Sequence, residues 1–303
     1  MLRTVLVNDE GGVGIAAAVE ALRDNAPPLD AVERGIRVVE RDATVRSVGY
    51  GGSPNLRGEM ECDAAIMEGT TLRAGAVGAL KGYGNPVSVA RQVMERTPHV
   101  ILVREGAALF AEEIGADSRD MLSEEALSDY RTWLARHTTP DILERWPKIP
   151  LVEYAWMAAR GSETRGTTVF LARDADGHMA AGVSTSGLAY KYPGRVGDSA
   201  VIGAGLYVDD RYGAVACTHT GEMTIRAATA RSVVIYLKTG ASLYDACHEA
   251  LKDLHALRAG YLGPVVIHAM DKDGTPCVVS VGHDGVVPYW YWTEDRGEVE
   301  RRT

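Results

Sequence analysis

Apolar residues along this chain repeat with two periods, and the alternation between the two organises the first half. TVLVN at 4–8 is a short continuous apolar run, the pattern of a buried strand. Residues 15–24 and 29–41 carry a helical period instead, with Leu29, Val32, Ile36 and Val39 recurring every three or four positions. SVGYGGSPN (47–55) is glycine-rich and turn-like, and CDAAIMEG (62–69) predicts a strand that ends at a turn. Asn85-Pro86 opens a helix, with a capping residue and a proline at the first helical position. HVILV (99–103) predicts a further strand, and 105–114 and 123–136 predict helices.

From 137 to 166 the period fades into a polar stretch with several breakers, which reads as a surface linker of the kind that is often functional or processed. Strands then resume. TTVFLARD (167–174), the turn 175–177 and HMAAGVSTSG (178–187) form a predicted hairpin, and 201–210 and 213–221 are further strands. Helices at 222–238 and 242–258 follow, then a hairpin over 265–282 that turns at Asp273-Gly274. Strands and helices arrive in blocks here, which favours two sheets between helix layers over a doubly wound parallel sheet.

Composition narrows the function. The 303 residues are enough for one full core, with 46% apolar and 24% charged residues. A net charge of −9 with scattered Lys and Arg argues against nucleic acid or an anionic membrane as partner. No apolar stretch reaches the ~18 residues of a membrane span, and the run in MLRTVLVND is too short for a signal peptide. Cys62, Cys217, Cys247 and Cys277 form no C-x-x-C pair and lie at no metal-ligand spacing from a histidine, so reduced, buried thiols and a cytoplasmic address are expected.

Gly11-Gly12-Val13-Gly14 after the first strand lacks the full dinucleotide fingerprint and has no lysine-serine pair behind it, so it is read as a strand-to-helix turn. Residues 166–226 carry the candidate chemistry. Gly166-Thr167 places a hydroxyl at the head of a strand, and the hairpin register brings Thr185 to the same end, within natural reach of a hydroxyl–hydroxyl hydrogen bond. Arg195 and Asp198 in GRVGD suit a zwitterion: a guanidinium for an α-carboxylate, a carboxylate for an α-ammonium. A surface ion pair is the alternative for these two. CTHTGE (217–222) ends a strand on a hydroxyl and exposed N–H groups, which suits an oxyanion site, or else a plain helix cap led by Glu222.

Taken in order, GTTVFLARD, GHMAAGVSTSG, GRVGD and THTGE resemble the threonine amidohydrolases of the N-terminal-nucleophile type, the glycosylasparaginases and isoaspartyl peptidase/L-asparaginases. LDAVERGIRVVERD, RSVGYGGSPN and DAAIMEGTTLRAGAVGAL in the first half agree, so the resemblance covers nearly the whole chain. It implies one α+β domain over 1–303, a four-layer αββα sandwich that cuts itself before Thr167 into an α chain of 1–166 and a β chain of 167–303. It also implies a homodimer of αβ units and a small aspartyl amide as substrate; the chemistry requires neither metal nor organic cofactor, and no ligand cluster in the sequence argues for one.

On this resemblance Thr167 is the nucleophile and its freed α-amine, of typical pKa about 7.7–8, is the base. Thr185 supports the nucleophile, and Arg195 and Asp198 hold the α-carboxylate and α-amine of the substrate. Thr218 with the N–H of His219 forms the oxyanion hole, Gly221 contacts the substrate amine, and Ser47 lies near the nucleophile. The sequence departs from the family at Val169 and His219, where glycine is usual, and at Asn8-Asp9, near which glycosylasparaginases carry a tryptophan. Glycine before the threonine resembles the isoaspartyl peptidase branch, whereas GHMAAGVSTSG resembles the glycosylasparaginase branch. The His219 side chain either acts on substrate or fills space, and a positive φ there would be strained. The competing reading is an uncleaved relative that binds a ligand or partner without turnover.

Overall fold

The computed structural model describes residues 1–161, 166–283 and 285–303. β1 (Thr4–Asn8) runs into a 3-10 turn over Asp9–Val13, then α1 (Ile15–Arg23) and α2 (Pro28–Arg41). β2 (Cys62–Glu68), β3 (Ala74–Leu80), α3 (Pro86–Arg96), β4 (Ile101–Val103) and α4 (Arg104–Glu113) follow. α5 (Glu124–His137), α6 (Pro140–Arg145), a 3-10 turn at Leu151–Tyr154 and α7 (Ala155–Gly161) lead to the second half. There β5 (Thr168–Arg173), β6 (Met179–Thr185), β7 (Leu206–Asp209) and β8 (Gly213–His219) precede α8 (Gly221–Ala227), α9 (Thr229–Lys238) and α10 (Leu243–Ala256). β9 (Val265–Asp271), β10 (Pro276–Val281), β11 (Tyr289–Thr293) and β12 (Glu300–Arg302) complete the order.

Eight strands form one sheet in the order β12-β11-β1-β5-β6-β2-β3-β4, and four form a second in the order β10-β9-β8-β7. Period-2 alternation along each strand sorts the side chains into layers. Val5, Val7, Phe170 and Ala172 face α1 and α2, whereas Leu6, Val169 and Leu171 face the second sheet and meet Leu206, Ala216 and Met270. On the far side of that sheet Val215, Cys217 and Ile267 pack against Val233 and Val234 of α9 and Ala250 of α10. The result is helices, sheet, sheet, helices: the four-layer α+β sandwich expected from the sequence.

The hairpin β5–β6 sits at the centre of the larger sheet, and α2 lies directly on it. Two glycines permit that approach. A Cβ on Gly35 would come 2.3 Å from Phe170 Cε1, and one on Gly182 would meet Val32 and Ile36 at 2.6 and 2.7 Å. The register Thr168↔Ser184 fixes the head of β5 opposite the end of β6.

Several expectations are corrected. The stretch 137–166 is not a loose linker where it is described: Trp146, Leu151, Tyr154 and Ala158 pack with Leu56, Trp133 and Tyr190 into a satellite core. Residues 162–165 of that stretch lie outside the described residues. The strand expected over 201–210 is only Leu206–Asp209, and the helix expected over 222–238 is broken at Ala228, whose φ of 48° is left-handed. β3, β11 and β12 were not expected. No described helix is long and apolar enough to cross a membrane.

Candidate active site

The two sheets bring one end of β5, β6 and β8 together, and the candidate residues converge there. Thr167 stands at the head of β5, 4% exposed, beside Thr185 at 3%. Gly166, Thr167, Thr185, Arg195, Asp198 and His219 line one small pocket, with room for about a single water (about 10 Å³). Thr218 and His219 also line a neighbouring cavity of about 170 Å³ with Asn8, Glu10, His268 and His283. Ser47 borders Gly166, whose added Cβ would come 2.3 Å from Ser47 Oγ. Gly221 borders Asp198 in the same way, at 2.8 Å from its Oδ1.

Thr185 Oγ donates to the Gly166 carbonyl at 2.8 Å and accepts from the Gly187 N–H at 2.9 Å. Its hydroxyl thus reaches the carbonyl of the Gly166–Thr167 peptide itself. The backbone beyond that peptide is clamped by Asn8, whose Nδ2 donates to Thr167 O at 2.5 Å and whose Oδ1 accepts from Val169 N–H at 2.9 Å. Val169 is fully buried between the sheets, so its side chain fills core and does not line the pocket.

The loop carrying Arg195 and Asp198 is anchored by Asp63 of β2, which accepts from Gly197 N–H at 2.9 Å and Ala79 N–H at 2.7 Å. Arg195 meets Glu222 two-pronged, Nε at 3.0 Å and Nη2 at 2.9 Å. Its Nη1 lies towards Gly187 and Gly197, which line the pocket, so the guanidinium can hold Glu222 and still present donors inward. Asp198 accepts from Thr224 Oγ at 2.7 Å. Burial raises its pKa to about 6, against the pull of Thr224 and Arg195.

His219 has φ +82°, a backbone that glycine adopts freely and a side chain rarely does. Its Nδ1 lies 2.8 Å from Thr218 Oγ. The tautomer decides the outcome: a bare Nδ1 takes the Thr218 proton, whereas Nδ1–H leaves the hydroxyl free to donate elsewhere. Burial, with His219 alongside, pulls His268 down to about 3.

Sequence reasoning missed three contributors. Glu222, read only as a helix-cap acid, partners Arg195; Asn8 clamps Thr167; and Glu10 Oε1 lies 2.6 Å from where a Gly166 Cβ would stand. An acid at the C-terminal end of a strand, next to a glycine turn, was the only signal for Glu10. Burial, with Asp9 adding to it, raises the Glu10 carboxyl to about 7. Among the described residues no group of three or more His, Cys, Asp or Glu is placed to hold a metal ion.

Two stacked sheets flanked by helices, with a buried threonine heading a central strand, define the N-terminal-nucleophile hydrolase fold. The profile of the family described as Asparaginase matches residues 13–287. An N(4)-(beta-N-acetylglucosaminyl)-L-asparaginase of Elizabethkingia miricola is 40% identical over 242 residues, covering 79% of this chain and 66% of the relative. The mouse (Mus musculus) isoaspartyl peptidase/L-asparaginase is 35% identical over 259 residues, 84% of this chain and 75% of the relative. A plant-type L-asparaginase of Thermococcus kodakarensis is 37% identical over 238 residues, 78% and 74%. The chain belongs to this type 2 asparaginase family, and it is an amidohydrolase acting on C–N bonds.

Proposed function

We propose that the chain cuts its own Gly166–Thr167 bond and then uses Thr167 to hydrolyse the side-chain amide of an asparagine derivative. The observation that carries this reading is the Thr185 hydroxyl on the Gly166 carbonyl, beside the buried Thr167. A donor held on that oxygen stabilises the charge that develops when a neighbouring hydroxyl attacks the carbonyl carbon. In the intact chain Gly166 lines the same pocket as Arg195 and Asp198, which leaves no room for a substrate. Cleavage would withdraw residue 166 and free the Thr167 α-amine, whose ordinary pKa suits a base near neutrality.

The substrate enters with its α-carboxylate on Arg195 and its α-ammonium on Asp198. That places the side-chain amide carbon at Thr167 Oγ, with the oxyanion near Thr218 and the His219 N–H. Attack gives a β-aspartyl ester and releases the amine, and water then resolves the ester. Asparagine, β-aspartyl peptides and N4-(β-N-acetylglucosaminyl)-L-asparagine share that aspartyl handle and differ in what leaves. On the family resemblance we also propose a cytoplasmic homodimer of αβ units.

Incubating the processed protein with each substrate class and measuring aspartate release tests the assignment. Aspartate formed from at least one class, and lost in Arg195→Ala, is expected. Processed protein that releases none from any of the three would reject it.

A further inference from the structure

Self-cleavage poses a problem that substrate turnover does not. Before the cut, the Thr167 nitrogen is an amide and cannot act as a base, yet the hydroxyl must lose its proton to attack the Gly166 carbonyl carbon. Gly166 brings no side chain to help. We propose that Glu10 is the proton acceptor and donor for cleavage of the Gly166–Thr167 bond, a proposal that rests on Thr167 being the nucleophile.

Glu10 is placed for this role by the 3-10 turn after β1, one strand away from β5. Its Oε1 occupies the space beside Gly166 into which any Cβ would project, at 2.6 Å from that point. Its Oε2 accepts from Asn8 Nδ2 at 2.5 Å, and the same nitrogen holds the Thr167 carbonyl at 2.5 Å. One amide therefore fixes the carboxyl and the scissile segment relative to each other. Glu10 lines the neighbouring cavity, whereas Asp198 and His219, the acid–base groups lining the small pocket, hydrogen-bond to Thr224 and Thr218.

The step balances without an outside reagent except water. Thr167 Oγ bonds to the Gly166 carbonyl carbon and its proton passes to the Glu10 carboxylate. The Gly166 oxygen carries the negative charge under the Thr185 hydroxyl. Collapse breaks the C–N bond, and the departing nitrogen takes the proton back from Glu10, leaving an ester. Water from the neighbouring cavity, which Glu10 also lines, hydrolyses the ester to the Gly166 carboxylate and the free Thr167 hydroxyl.

Among the described residues, the titratable and charged groups near Glu10 are Asp9, Arg301 and three histidines. Asp9 adjoins it and is paired with Arg301 of β12 at 2.9 Å, and His219 of β8, His268 of β9 and His283 line the cavity opposite. With the Glu10 carboxyl raised to about 7, its ionised form dominates above neutrality and fades as pH falls through that value.

The test follows intact mass over time in freshly purified wild type, Glu10→Gln, Glu10→Asp and Thr167→Ala between pH 5 and 9, with thermal melting as a check on folding. Wild-type cleavage should accelerate as pH rises through about 7 and then level off. Glu10→Gln should be slower by about 10²–10⁴-fold, typical of a lost acid–base group, and should lose that rise, while Glu10→Asp keeps it at a reduced rate. Wild-type cleavage with Glu10→Gln matching it in rate and pH profile would overturn Glu10 and leave Thr167 standing. If Glu10→Gln fails to fold, a wild-type rate that is flat across pH 7 overturns the proposal, and a rise preserved in Glu10→Asp supports it. Wild type that never cleaves at any pH would sink the Thr167 reading and this proposal with it.

Discussion

The Thr185 hydroxyl donates to the carbonyl oxygen of Gly166 at 2.8 Å, across the open end of the central hairpin. Strand register produces this contact: with Thr168 opposite Ser184, the next pair outward brings Thr185 against the peptide that joins residues 166 and 167. The sequence suggested a bond between the Thr167 and Thr185 hydroxyls, whereas in the intact chain the partner of Thr185 is the carbonyl one peptide earlier. Thr185→Val removes the donor and keeps the volume, and should slow self-cleavage by about 10²–10³-fold, the usual cost of one oxyanion donor. Thr185→Ser should restore most of the rate. Densitometry of the two fragments over time reads both.

Asp198 predicts a pH limit on substrate binding. Its carboxyl, raised to about 6 by burial, must be ionised to hold an ammonium. Affinity should therefore be complete above that value and fall as pH drops through it, with KM rising about tenfold per pH unit for one essential ionisation. An analogue lacking the α-amine should show no such rise in KM. Steady-state kinetics between pH 4.5 and 8 on both compounds separate the cases.

At His219 the backbone and the side chain make opposite demands. A left-handed conformation costs a residue with a side chain roughly 1–2 kcal/mol, and φ is +82° here. His219→Gly should therefore raise the melting temperature. It also releases Thr218 Oγ from the imidazole. If the ring only fills space, turnover should be retained in this variant; a loss of kcat at unchanged KM would assign the imidazole a part in the chemistry.

Glu40 lies in the last turn of α2 in full burial, accepting from Ser184 Oγ at 2.7 Å and Val87 N–H at 2.9 Å, while its Oε2 has no hydrogen-bond partner among the described residues. Burial raises its pKa from 4.5 to about 8. The folded state thus holds a proton that the unfolded chain releases above about 4.5. The stability from this group is complete below that pH and declines as pH rises towards 8, by about 1.4 kcal/mol per unit at most. Glu40→Gln should lose this part of the decline, keeping only that of the other raised carboxyls such as Asp198 and Glu10, and should gain on wild type towards the alkaline end, as urea melts at several pH values would record.

Much of the architecture was legible because the decisive strands carry strong signals. VFLA in β5, AAGV in β6 and VVI in β9 are continuous apolar runs bounded by turns, and α2 shows four well-spaced apolar residues. Ala74–Leu80 was missed because AGAVGAL has small residues and little β-branching, and it becomes a strand through its pairing with β2. Tyr289–Thr293, YWYWT, carries strong β-formers and was readable as a strand; what no local pattern encodes is its pairing with β1 at the other end of the chain. The site followed the same division. Thr167, Thr185, Arg195, Asp198 and Thr218 sit in motifs with recognisable neighbours. Glu10 and Asn8 reach Gly166 and Thr167 only because β1 and β5 pair in the folded sheet.

The central claim is that Thr167 attacks the bond before it. Intact mass spectrometry of freshly purified and aged protein, beside Thr167→Ala, addresses that directly. The account predicts two fragments, residues 1–166 and 167–303, accumulating in the wild type and absent from the variant. A wild-type chain that stays whole through long incubation, or a Thr167→Ala chain that splits at the same bond, would contradict it, and the former would favour a ligand-binding relative that does not turn over.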